Sequence, residues 1–425
     1  MASIFQPGQA TLRECTISSI PFVDGNGKNY FHVQELRIYE DHCKAYFTAQ
    51  LVIEADQNTW EGYLNPGAPV SISFEAPRSD GGPTKTYTEN FKVYSYESKP
   101  KPRDNNNAMI ITLSLMGDEY YRDRYNSVSQ AFSNIPGTQA AQAIHEQYMS
   151  VNGSLSVQPS SLGMIGLERV PHEVNNKKPI KAIHDILDKV VYAAYPSCAA
   201  MYFRNKPGYV MSPLQYLLEN ASIDQTFIHQ PSQGAFLNVT ATGYDRINHL
   251  RPMAPPGEDR GMASASDVDG IFKSMSFFDI KSGNFAENGD FSSLSQLSAM
   301  AQQFKGAVMG KLGGRRIFSV LDDLHQARSV AKNGPAGYQK NEDAFLTALT
   351  YAPKFWVSVP MQTGLNVTCG TRINVFYPFS NLGVIGKTLY VARLIHELRF
   401  TEGTDGRNKV TVNGLTDIFG VDWGN

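Results

Sequence analysis

Three neighbouring segments decide the fold: Phe355–Phe379, FWVSVPMQTGLNVTCGTRINVFYPF; Gly386–Phe400, GKTLYVARLIHELRF; and Lys409–Phe419, KVTVNGLTDIF. In the first, the apolar runs Phe355–Val359 and Ile373–Tyr377 flank a glycine-bearing turn. In the second, Leu389, Val391 and Leu394–Ile395 alternate with Lys387, Arg393 and His396. In the third, Val410 and Val412 alternate with Thr411 and Asn413. Period-two patterns bounded by Gly, Pro and Asn predict strands and tight turns. Gly370 and the Thr404–Asn408 turn supply the positive-φ residues that hairpins need. The chain is expected to close in a small antiparallel barrel or sandwich that carries no catalytic constellation.

Residues 1–117 repeat that grammar. Thr16–Ile20, Phe31–Tyr39, Tyr46–Ala55, Val70–Phe74, Thr86–Ser95 and Met109–Leu115 are β-type runs. Asp24–Gly27, Asn65–Gly67, Ser79–Gly82 and Asp104–Asn107 are turn chemistry between them. Six strands at this spacing predict a barrel or sandwich. Gly67-Ala68-Pro69-Val70, followed by Ile72 and Phe74, resembles the segment Gly364–Tyr377. The two segments predict an internal repeat, one barrel at each end of the chain.

Residues 118–226 change character. Thr138 is placed to cap a helix with Ala141, Ile144 and Tyr148 on one face. Pro179 opens a second helix with the stripe Ile180, Ile183, Leu187 and Val190. Ala199–Phe203 and Gly208–Met211 predict a hairpin around Asn205-Lys206-Pro207, and Pro213–Glu219 a short helix. This is an α+β insert. Phe227–His229 and Phe236–Gly243 return to strand character and open the second barrel. In 250–354, Pro252–Ala265 reads as a linker. Leu294, Leu297, Ala301, Phe304 and Val308 predict an amphipathic helix, with Ser292 or Ser293 as its cap. The expected fold class is α+β, mainly β: two tube-like antiparallel β-barrels with α+β and helical insertions. The expected division is 1–117 first barrel; 118–226 insert; 227–249 with 355–418 second barrel; 250–354 linker and helical insert; 419–425 C-terminal tail.

The 425 residues suffice for several domains. Aromatics at 11% and 35 glycines fit a β-rich, turn-rich protein. A formal charge of −2 argues against a dedicated nucleic-acid binder, which needs a basic surplus. Cys15, Cys43, Cys198 and Cys369 are scattered without a CxxC pair, so reduced thiols are expected, not a disulfide framework or zinc site. MASIFQPGQATLREC lacks the charged and apolar regions of a Sec signal, and no run of eighteen apolar residues occurs. The glycosylation-type matches at Asn238 and Asn366 are therefore expected to be idle.

Motifs of catalysis fail on spacing. His145-Glu146 lacks the second histidine of a zincin, since Met149 stands four residues on. Gly306–Leu312 resembles a phosphate loop but is one residue short and offers Leu312 where magnesium needs Ser or Thr. His184-Asp185 and His396-Glu397 are neighbours and so point apart. Asp322-Asp323 is expected on a helix surface or start. No Gly-x-Ser-x-Gly elbow occurs. The short basic runs Lys99–Arg103 and Gly313–Arg316 are expected on the surface, the first as a solvated loop. No catalytic, cofactor-binding or metal-binding residue is assigned, and no cofactor.

The C-terminal pattern resembles the baseplate hub proteins of contractile-tailed bacteriophages, and the hub half of type VI secretion spikes. The matching features are Gln362-Thr363-Gly364-Leu365 with Gly370, the strand Arg372–Tyr377, then Leu389–His396, a polar turn and Val410–Thr416. An α+β domain between two barrels fits the same family. The resemblance implies a structural virion protein, not an enzyme: a homotrimeric hub adapting a sixfold tail tube to a threefold spike. Its implied partners are the central spike, the tail tube or tube-initiator protein, wedge proteins and the tape-measure protein. DNA would pass only in transit, past a neutral or acidic lining, without membrane insertion. Its implied place is the virion tail baseplate, assembled in the host cytoplasm. The alternative is a tail-associated cell-wall or polysaccharide hydrolase or a carbohydrate-binding module, with Trp60 and Tyr63 stacking on sugars.

Overall fold

Alternating apolar side chains build the N-terminal strands, β1 (Gln9–Ile17), the two-residue β2 (Ile20–Pro21), β3 (Phe31–Asp41), β4 (Thr48–Asp56), β5 (Pro69–Ala76), β6 (Lys85–Pro100) and β7 (Ala108–Gly117). In β4, Ala49, Leu51, Ile53 and Ala55 face inward and are buried, while Thr48, Gln50, Val52 and Glu54, which alternate with them, are half-exposed. The insert follows: α1 (Asp118–Tyr125), β8 (Val128–Phe132), α2 (Gly137–Tyr148), β9 (Ser154–Val157), β10 (His172–Lys177), α3 (Pro179–Leu187), β11 (Ala200–Asn205), β12 (Gly208–Pro213) and α4 (Leu214–Asn220). The C-terminal part contains β13 (Ile223–Ile228), β14 (His249–Met253), β15 (Ser274–Asp279), β16 (Phe285–Asn288), β17 (Arg316–Leu321), β18 (Lys354–Pro360), α5 (Met361–Gly364), β19 (Arg372–Pro378), β20 (Val384–Phe400) and β21 (Thr411–Asp422). The computed structural model describes residues 8–22, 30–56, 60, 63–76, 85–101, 108–133, 135–150, 153–159, 172–188, 190, 195, 200–229, 247, 249–253, 274–279, 285–288, 316–321, 349, 352–378, 384–400 and 411–423.

The strand order carries the repeat. The first unit runs β1-β5-β6-β7-β4-β3 across the sheet, and the second runs β13-β19-β20-β21-β18-β14. Position by position these are the same permutation of chain order. The local devices match as well. Gly67 (φ 88) and Gly370 (φ 87) each stand two residues before a strand. The Gly67 N–H donates to Val93 O and the Val93 N–H to Ala68 O; the Gly370 N–H donates to Val391 O and the Val391 N–H to Thr371 O. A bulge then follows on each long strand, between Val93 and Ser95 and between Val391 and Arg393. One pairing departs from the repeat: β1 is antiparallel to β5, but β13, arriving directly from α4, is parallel to β19.

The two units share a wall. The first half of β20 pairs with β19, and its second half, Arg393–Arg399, pairs with β3. Likewise β21 starts on β1 and ends on β18. The β20–β21 pairing thereby closes the ring β20-β3-β4-β7-β6-β5-β1-β21. Its interior is filled: Leu12, Leu36, Leu51, Ile72, Phe74, Leu113 and Leu398 form one core that also takes in Met361 and Leu365 of the other unit. The ring is a packed barrel and not a pore. Residues 419–422, expected as a C-terminal tail, instead end β21 against β18, and Trp423 is buried.

Two more expectations need correction. The bulge after Val391 resets the alternation of β20, so Leu394, His396 and Leu398 all point inward and His396 is core, not surface. The basic run Lys99–Arg103 is not a loop at its start: Lys99 and Pro100 end β6, and Lys101 pairs with Glu54 at 2.7 Å. The helix expected around 294–308, the run 306–315 before β17, and Asp322-Asp323 lie outside the described residues, and Arg316 of the basic run opens β17. The described parts of 274–321 are strands: β15 pairs with β16 antiparallel and with β17 parallel. Among the described residues no helix is long and apolar enough to cross a membrane.

The two positive-φ glycines separate backbone strain from packing. A Cβ on Gly67 meets nothing within 4 Å, whereas one on Gly370 falls 2.5 Å from the Phe203 ring. Gly67→Ala should cost only the left-handed backbone penalty, about 1 kcal/mol. Gly370→Ala adds a clash at the seam with the insert and should cost roughly 1–2 kcal/mol more. Urea unfolding of both variants checks this; equal losses would contradict it.

Candidate functional site

The histidines singled out by sequence do structural work. On α2, His145 is buried, its Nδ1 is 2.8 Å from the Tyr202 hydroxyl, and burial lowers its pKa. Glu146 beside it is exposed and accepts from Gln142 at 3.0 Å. On α3, the half-buried His184 lies at 6.1 Å from the Tyr202 ring. Asp185 turns away to Lys177 and to Lys181 at 2.7 Å. Burial pushes the Asp185 carboxyl up, but the hydrogen bonds from these lysines outweigh it and leave it below its ordinary value. His396 and Glu397 do point to opposite faces. Glu397 sits outside with Arg37 and Arg399, at 3.5 and 2.6 Å.

The inward His396 belongs to a buried polar junction that sequence reading missed. His396 Nδ1 is 2.9 Å from Thr416 Oγ1, and Nε2 is 3.5 Å from Glu40 Oε1. Glu40 also accepts from Thr368 Oγ1 at 3.1 Å and from the Cys369 N–H at 3.3 Å, and faces Lys206 Nζ at 3.5 Å. Burial pushes the Glu40 carboxyl up, but Lys206, His396 and the Cys369 amide outweigh it and hold its pKa at about 2. Burial, with Lys206 adding to it and Glu40 opposing, drives His396 down to about 4. Lys206 itself is lowered, by burial against the pull of Glu40.

Thr416, His396 and Glu40 have the order of a nucleophile, a base and an orienting acid. Each is 0% exposed. A Cβ on Gly364 would fall 2.1 Å from Thr416 Oγ1, and Met361 Sδ accepts from the same hydroxyl at 3.5 Å. No space remains for a substrate at that oxygen, so the arrangement pins β3, β20 and β21 together.

The turn of the β11–β12 hairpin ties the insert to both units. Arg204 Nη2 donates to both oxygens of Glu89 at 2.9 Å, and Nη1 lies 2.6 Å from Glu119. The guanidinium also lies 4.3 Å from the Phe47 ring centre. These partners belong to the first barrel and α1. Asn205 donates to Cys369 O at 3.4 Å, and Lys206 donates through its amide to Thr368 Oγ1 at 3.1 Å and through Nζ to Val367 O at 2.7 Å. Those partners precede β19.

Asp41, His42 and Cys43 bring one ligand atom each within 4.8 Å of one another. Their contacts are already committed: Asp41 Oδ1 accepts the Cys43 N–H at 2.9 Å, Oδ2 accepts from Arg393 at 2.9 and 3.1 Å, and His42 Nδ1 meets the Tyr390 hydroxyl at 3.0 Å. This is a tied corner after β3 rather than an open ligand set. The cleft lined by Ser156, Gln158, Asn205, Asn220 and Thr371 has no acid, cation or histidine among its lining residues.

The surface is more informative. Every residue of β6 from Tyr94 to Pro100 is exposed, although the strand stays paired to β7. β5 accompanies β6 only as far as Lys92. Next to this ribbon lies a tyrosine group: Tyr46 and Tyr94 lie 5.3 and 5.7 Å from Tyr120, Arg124 lies over Tyr120 at 5.2 Å, and Tyr125 is 81% exposed. Tyrosine with arginine is the composition of interface cores. Trp60, in contrast, is buried with its ring 5.1 Å from Phe31 and is closed to sugars; only Tyr63 of that pair is exposed.

No protein-family model matches the chain, and no curated protein matches it. Solved structures do. A tail protein from Neisseria meningitidis MC58 aligns over 98% of this chain and 98% of its own, with a TM-score of 0.53 and 11% identity. The 43 kDa tail protein of prophage MuSo2 from Shewanella oneidensis aligns over 97% and 98%, with a TM-score of 0.52 and 11% identity. Over nearly its whole length, the chain has the fold of these tail proteins.

Proposed function

We propose that the chain is a structural protein of a phage tail, the hub ring of a baseplate. The observation that carries this reading is the repeat: two units of one strand order in one chain, joined by strands common to both. A ring of three such chains offers six like barrels to a sixfold tube and a threefold face to a spike. The division into two barrels, an α+β insert and a further insertion belongs to the same proposal. Its partners would be the central spike, the tail tube or tube-initiator protein, wedge proteins and the tape-measure protein. DNA would pass in transit along the ring axis, because the barrel interior is packed with side chains. Such a protein needs complementary surfaces and no chemistry, and its place is the virion tail, after assembly in the host cytoplasm.

Light scattering on the purified protein, alone and with its spike, should give three times the chain mass. A monomer that persists at high concentration and with the spike present would contradict the hub. A hydrolase has no comparable support: the Thr416–His396–Glu40 set is sealed and Trp60 is buried.

A further inference from the structure

The repeat makes a demand that one chain does not meet by itself. In the second unit, β20 runs past its bulge, leaves its own barrel and lays Arg393–Arg399 antiparallel against β3 of the first unit. In the first unit, β6 runs past the matching bulge in the same way, and Ser95–Pro100 pairs only with β7 among the described residues. Counting on from Val93 and Val391, Tyr96 corresponds to Leu394 and Ser98 to His396. Leu394, in the core of its own unit, and His396, against Glu40 and Tyr87 of the first barrel, are 0% exposed, while Tyr96 is 46% exposed and Ser98 is exposed. The receiving strand also has a counterpart. In the shared strand order β14 stands where β3 stands, and among the described residues β14 pairs with β18 alone.

We propose that the free edge of β6, Ser95–Pro100, pairs antiparallel with β14 of a second copy of this chain, repeating between chains the β20–β3 contact made within one. This inference rests on the ring reading above and names the surface that closes the ring. The physical drive is that of any open strand edge: unpaired backbone donors and acceptors seek a second strand. Docking also covers Tyr96 and Ser98, as the first barrel covers His396. Charge agrees: Glu97 on β6 and Arg251 on β14 are both exposed and of opposite sign. The contact joins two different surfaces, so it runs head to tail and closes when the rotation completes a ring.

The test uses full-length protein with Cys43→Ser, to remove the thiol exposed among the described residues, with Cys198→Ser, and with Glu97→Cys and Arg251→Cys in one chain. A short bis-maleimide on the assembled protein should give a covalent ladder up to the full ring. Mixing the two single variants should give linked dimers, and either single variant alone should give none. Hydrogen exchange on the unsubstituted protein should show the Ser95–Lys99 amides protected in the assembly and open on dilution to monomer. An assembly of threefold mass without linkage and without that protection overturns this contact and leaves the ring standing. A chain that remains monomeric overturns both.

Discussion

Arg204→Ala is expected to cost about 3–5 kcal/mol of stability, the range for removing one partner of a buried ion pair. The reason is the two carboxylates left behind. Glu89 and Glu119 are nearly or fully buried, and Arg204 is the cation that meets both. Burial already raises the Glu89 pKa against the pull of Arg204. Without the guanidinium, Glu89 rises further and takes up a proton more readily in the folded state. The deficit should therefore be largest near neutral pH and shrink on acidification. Urea midpoints at two pH values measure this. Replacing Glu89 and Glu119 by Gln in the same variant should restore part of the loss, since no buried charge is then stranded. A deficit under 1 kcal/mol at pH 7 would mean that the hairpin turn does not hold the insert on the barrel.

Acidification of the native protein should remove about 3 kcal/mol through His396. Its folded pKa is about 4, against 6.5 for the free side chain. Below 6.5 the unfolded chain binds a proton that the folded chain refuses, so this contribution is complete above 6.5 and lost as pH falls toward 4. Glu40 adds a second loss at lower pH, from the ordinary carboxylate range down to its folded value of about 2. Lys206 is the other charge at this junction, its pKa lowered by burial against the pull of Glu40. His396→Gln should flatten the dependence of stability on pH between 6.5 and 4, whatever it does to stability at pH 7. An unchanged slope would place the histidine's proton elsewhere.

Most barrel strands were legible in sequence because they bury one face, and period two survives in any order; Thr16–Ile20 is the exception, since the chain turns at Ser18 and Ser19 between β1 and β2. The runs Phe31–Tyr39 and Val70–Phe74 fall inside β3 and β5, and the hairpin around Asn205-Lys206-Pro207 lies where its turn residues put it. The resemblance of Gly67–Phe74 to Gly364–Tyr377 reaches further than shared residue types, down to the same glycine torsion and the same pair of backbone hydrogen bonds. What was not legible depends on the bulges and on long-range contact. A bulge changes which neighbours face inward without changing composition, so His396 read as surface. Glu40, Glu89, Arg204 and Lys206 look like solvated charges one at a time. They are paired only because strands and a hairpin more than a hundred residues apart meet at one seam. The ends of β6 and β20 were read short because edge-pairing partners do not show in local pattern.

The most direct test of the central claim is an image. Electron microscopy of the purified protein with its spike should show annular particles with threefold symmetry and an open centre, each chain contributing two similar lobes to the rim. Compact single-chain particles without a hole, under conditions where the spike itself is assembled, would contradict the hub ring.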